Sequence, residues 1–82
     1  MSLELAKKAS SKVVGQKQAL RAIKNGEARL VIVALDAEKR IKDPVVSECE
    51  SRGIDVATVQ DMVSLGKACG IKVGAAVVAI LD

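Results

Sequence analysis

The spacing of apolar positions switches along the chain between a helical period and short β-branched runs. Leu3, Ala6 and Ala9 recur every third residue, and with Ser2 as an N-cap they predict a short amphipathic helix over residues 3–10. Val13 and Val14 form a brief strand before Gly15. Residues 16–24 are helical again, and Asn25-Gly26 stops them. In that helix Ala19, Leu20, Ala22 and Ile23 make the inner stripe, while Lys17, Arg21 and Lys24 share the outer face. The run RLVIVAL at residues 29–35 is nearly all apolar, as in a strand buried on both faces.

Residues 36–42 are charged and predict a loop. Asp43-Pro44 then opens a helix, with an acceptor at the N-cap and proline at the first helical position, and the helix runs to Arg52 before Gly53. Residues 54–59 alternate as a strand. Asp61 caps a helix over 62–69 that Gly70 closes, residues 71–74 are a loop, and 75–81 are a last buried strand. Strands and helices alternate with no linker or repeat. The expectation is one α/β domain over residues 1–82, a three-layer α/β/α sandwich with a mixed sheet of about four strands.

Composition sharpens this picture. Half the residues are apolar, yet Phe, Trp and Tyr are all absent. The core must be built from Ala, Val, Ile and Leu, which lets helix and sheet layers approach closely. The net charge of +3 is unevenly spread. Residues 1–24 carry six cations against Glu4, and residues 25–82 carry seven cations against nine anions. One region is basic, as in a domain that meets a polyanion on one side. A solvated basic face would look the same from composition.

Candidate chemistry is mostly excluded. There is no His, and Cys49 and Cys69 form no CxxC pair, which removes the usual zinc patterns and the His-based nucleophilic sites. The reading is of two reduced, mostly buried thiols. No GxGxxG or GxxxxGK[ST] motif occurs. Asp36, Glu38 and Asp43 read as a polar loop rather than a carboxylate site. Gly66, Gly70 and Gly74 recur every four residues, which reflects a helix stop and a tight loop. The longest apolar run is too short to cross a membrane, and the N-terminus lacks a signal-peptide core. The chain is expected to be a cytoplasmic, monomeric non-enzyme that takes no metal or cofactor.

The start of the second helix holds the most informative residues. Gln16, Lys17 and Gln18 follow Gly15 directly, and Arg21 and Lys24 continue the ridge. Cations are disfavoured at a helix start, where the dipole is already positive. The first-turn N–H groups are also unpaired within the helix. A phosphate backbone would meet both, and Lys17 and Gln18 would reach base edges. Gly15 would let that backbone approach closely. An ordinary amphipathic helix with a basic outer face is the alternative.

The segment GQKQALRAIKNG, taken with LGKACGIKVGAAVVAI at residues 65–80, resembles the kink-turn RNA-binding family of ribosomal protein L7Ae, most closely its short bacterial members. The resemblance spans essentially the whole chain. It implies a partner in structured RNA, ribosomal or riboswitch, bent at a bulge beside tandem sheared G·A pairs, and no binding of DNA or membrane. It implies that Gly15 allows the RNA backbone close, that Gln16 lies in the same contacting turn, that Lys17 and Gln18 touch guanine edges, and that Arg21 touches phosphates or guanines. Ile71, Lys72 and Val73 would pack against nucleotides turned out of the stack. Such a reader needs shape, a polar helix tip and an apolar loop, so the lack of aromatic stacking platforms fits it.

Two departures stand out. Archaeal members usually carry Asn-Glu where this chain has Lys17-Gln18, and an amide accepts a hydrogen bond less strongly than a carboxylate. Gly74 stands where many relatives have Pro or Ala, which leaves the loop less preorganised. Burial arguments alone would let Ile71 and Val73 simply cover the sheet edge. The functional alternative is a protein-interaction module of the same fold, docking its basic helix on an acidic partner.

Overall fold

The computed structural model describes residues 2–81. Along the chain they form α1 (Ser2–Lys8), β1 (Lys12–Val14), α2 (Gln16–Lys24), β2 (Leu30–Ala34), α3 (Lys39–Arg52), β3 (Asp55–Val59), α4 (Met62–Ala68) and β4 (Val77–Ile80). The strands make one sheet in the order β1-β4-β2-β3. β2 and β3 run parallel, while β4 is antiparallel to both β1 and β2. The sheet is therefore mixed, as expected.

The two central strands explain the run of β-branched residues. Successive side chains of a strand point to opposite faces. Val31, Val33, Val77 and Ala79 meet Ala19, Ala22 and Ile23 of α2 and Val45 and Cys49 of α3. Ile32, Ala34, Val78 and Ile80 point the other way, toward Ala6 of α1 and Leu65 and Ala68 of α4. Two helices cover each face, which makes the α/β/α sandwich. The small alanines of α2 and the valines beneath them stand in for aromatic bulk. Cys49 packs in one layer and Cys69 against the other, so the sheet separates them and both are free thiols. Burial pushes both thiols above their ordinary pKa.

Several boundaries differ from expectation. α1 begins at Ser2, so the expected cap lies inside the helix, and it ends at Lys8. α3 begins at Lys39 and not at the Asp43-Pro44 step, with Glu38 as its N-cap. The amides of Ile41 and Lys42 donate to the Glu38 carbonyl at 2.9 and 3.0 Å, and Ile41 packs on the core beside α2. That contact anchors an extra turn. Pro44 then sits inside the helix and has no N–H to give the carbonyl of Arg40, an exposed residue. β4 starts at Val77 because the Ala75 amide is donated to the Met62 carbonyl of α4, at 2.9 Å, and not to a strand. Leu35, expected to end a buried strand, is 54% exposed just beyond β2.

Candidate nucleic-acid interface

Three backbone hydrogen bonds bring the candidate residues to one end of the sheet. Gly15 N donates to Val77 O at 2.9 Å, and Ala34 N to Ala76 O at 2.9 Å. Leu35 N donates to Val59 O at 2.8 Å. The start of α2, the turn after β2 and the loop before β4 therefore share this end.

The tip of α2 is built around Gly15, whose φ of 112° and ψ of 153° suit glycine alone. A Cβ there would also lie 2.9 Å from Gln18 Oε1, so the Gln18 carboxamide folds back over the glycine. No side chain caps this helix, and its first turn holds no acid. The start of α4 is built differently. Asp61 Oδ1 accepts from Ser64 N at 2.6 Å, and Asp36 Oδ1 accepts from Met62 N at 2.9 Å. Two carboxylates thus serve one helix start, while cations and amides crowd the other. Lys17, Gln18 and Arg21 are exposed, and Gln16 and Gly15 are half-buried. Leu20 is half-buried and Ile23 fully buried, so the predicted division of α2 into inner and outer faces holds.

The loop over residues 71–74 lies against α4. A Cβ built at Gly66 would collide with the Val73 carbonyl oxygen, and one at Gly74 would lie 3.0 Å from Met62 Cβ. The recurring glycines therefore do more than stop a helix, since Gly66 is a seat for the loop. Ile71 N donates to Gly66 O at 3.0 Å. Ile71 packs inward against the α1/α4 core, whereas Lys72 is exposed and Val73 is 71% exposed. The two apolar residues of the loop thus divide, one toward the core and one toward solvent.

The structure adds residues that sequence reasoning did not assign to the site. Leu35 and Val63, exposed by 54% and 60%, lie at the same end of the sheet as Val73. Leu35 gave no signal because it closes a run of buried residues. Along α2, Lys17, Leu20, Arg21, Lys24 and Asn25 line an open depression of about 380 Å³. The spacing of its cations was legible; its continuation to Asn25 was not.

The acidic residues over 36–43 do not converge. Asp36 serves α4, and Glu38 pairs with Arg40 at 3.0 Å. Among the described residues no three His, Cys, Asp or Glu side chains are grouped to hold a metal ion, and no helix is long and apolar enough to cross a membrane.

A basic, uncapped helix tip beside a glycine-seated loop, on a four-stranded mixed sheet, defines a class of protein. The chain belongs to the Ribosomal protein L7Ae/L30e/S12e/Gadd45 family, which it matches over residues 1–82 and which is not a family of enzymes. It is 48% identical over 81 residues to a protein named RNA-binding protein YbxF from Geobacillus stearothermophilus, with 99% of both chains covered. To one named RNA-binding protein from Bacillus pumilus (strain SAFR-032) it is 40% identical over 81 residues, with the same coverage. The solved structure of the Giardia lamblia 15.5kD RNA binding protein matches with a TM-score of 0.89 at 30% identity, over 99% of this chain and 71% of that one. A protein with unknown function from Bacillus halodurans C matches with a TM-score of 0.85 at 34% identity, over 98% and 80%.

Proposed function

We propose that this protein binds structured RNA and selects the kink-turn. The observation that carries the reading is the tip of α2, where no side chain caps the helix, no acid lies in its first turn, and Lys17, Gln18 and Arg21 are exposed around Gly15. Family membership and relatives named as RNA-binding proteins support it. In this reading Lys17 and Gln18 meet guanine edges at the sheared G·A pairs, and Arg21 holds the phosphates beside them. Gln16 contributes an amide, and the loop carrying Ile71, Lys72 and Val73 closes over bases turned out of the stack.

The mechanism is a shift of population. Free kink-turn RNA samples open and bent forms, and a protein that binds only the bent form draws the equilibrium toward it. No covalent step is involved. The host RNA would be ribosomal RNA or a riboswitch, and association with the ribosome follows from the first.

The test compares two RNAs at fixed salt: a kink-turn, and the same RNA with its sheared G·A pairs replaced by Watson–Crick pairs. The protein should prefer the kink-turn. Replacing Lys17 and Gln18 together by alanine should cut that preference by about tenfold or more, since each good base contact is worth about 1–3 kcal/mol. Equal, salt-sensitive binding to both RNAs would leave only a nonspecific polyanion face and defeat the reading.

A further inference from the structure

We propose that Lys24, at the far end of the α2 ridge, anchors the phosphate backbone of the RNA stem that leads away from the helix tip. The proposal rests on the RNA-binding reading above and extends its footprint along the whole helix. Lys17, Arg21 and Lys24 are all exposed and line one depression together with Leu20 and Asn25. At 1.5 Å of rise per residue, Lys17 to Lys24 spans about 10 Å of helix. One strand of a duplex presents roughly three phosphates over that length. The ridge is therefore long enough to follow a strand past the tip. Leu20 is the apolar residue of its lining and would meet sugar edges, and Asn25 adds an amide.

Lys24 is the ridge cation with charged neighbours on α3. Arg52 is also close, but its guanidinium is engaged. Arg52 Nε lies 2.7 Å from Glu48 Oε2, and Nη1 donates to the Lys24 carbonyl at 3.4 Å. That second bond ties the end of α2 to α3 and fixes the backbone from which Lys24 projects. Glu48, held below its ordinary pKa first by the Arg52 hydrogen bond and also by the field of Lys24, is a carboxylate beside the ridge that opposes an approaching phosphate. A continuous, outward row of cations suits a phosphate strand, which presents charge at regular steps. An acidic protein surface has no such requirement.

The experiment measures affinity against salt for both RNAs of the previous test, using the wild type, Lys24→Gln and Glu48→Gln. Lys24→Gln should weaken binding to both RNAs by the same factor, about three- to tenfold near 0.1 M salt. It should lower the slope of log K against log salt by about 0.7–0.9, one phosphate contact. Glu48→Gln removes the opposing carboxylate and releases Arg52, so it should tighten both RNAs equally. Thermal melts of each variant check that the fold is retained, and Lys24→Arg should restore the slope. An unchanged slope in Lys24→Gln, with the wild type still preferring the kink-turn, overturns this proposal alone. So does a change in the preference itself, which would make Lys24 a reader of bases. Equal wild-type binding to both RNAs, with the slope still falling in Lys24→Gln, upholds the anchor and overturns the kink-turn reading. No binding to either RNA overturns both and leaves the acidic protein partner.

Discussion

At Gly15 the backbone turns from β1 into α2 with φ 112° and ψ 153°. An L residue held there is strained by about 1–3 kcal/mol. Gly15→Ala should therefore destabilise the fold by that amount in a urea titration. Its methyl would also displace the Gln18 carboxamide, 2.9 Å away, so RNA preference should fall even at temperatures where the variant is fully folded. The sequence made Gly15 legible as a place where a backbone could come close. It did not reveal that the space is already used by Gln18, because which way a side chain folds back depends on the turn geometry. Val73 and Ile71 teach the same lesson. Their identical apolar character carries no sign of which one faces the core, and only the seat of the loop on α4 decides it.

α4 illustrates an element defined by its start. The Asp61 carboxylate accepts from Ser64 N, and that bond, then the Ser64 hydroxyl, holds its pKa below the ordinary value despite a small opposing effect of burial. A carboxyl depressed in the folded state contributes stability above its unfolded pKa, near 4, and loses it as pH falls through the folded value. Asp61→Ala should lower the melting temperature by a few degrees at pH 7, and the difference from wild type should vanish well below pH 3. A difference that persists in acid would mean that the side chain acts by packing and not by charge. The cap at Asp61 was readable because acceptor, spacing and helical period agreed. At Asp43-Pro44 the same local grammar misled. The pair has the form of a helix start, yet burial of Ile41 extends α3 by a turn and leaves the proline inside. Tertiary packing outweighed a strong local signal there, whereas α2 came out at its expected bounds because both its faces and its stop were written in sequence.

For the whole molecule, the fold was legible because the two central strands must be covered on both faces, and the helices supply that cover. The site was only half legible. The α2 ridge is a periodic pattern, whereas Leu35 and Val63 reach the same end through topology alone. Gly66 links the two levels. Gly66→Ala would drive a methyl into the Val73 carbonyl and push the loop off α4. The gain in helix propensity, about 1 kcal/mol, offsets part of an overpacking cost of about 1–3 kcal/mol. The expected result is a net loss of stability of up to about 2 kcal/mol in denaturant titration, with weakened RNA binding although no RNA-facing side chain has changed. Retained affinity would show that the loop plays no part in binding. α2 lies on one face of the sheet and the loop over 71–74 rests on the helix of the other face, so the two halves of the proposed site are separated by the sheet itself. If both halves contact RNA as proposed, they would act as the jaws of a caliper whose opening is set by layer packing. On that reading a straight duplex or a lone strand would meet one jaw, and an RNA whose bend presents a groove together with an extruded base would meet both.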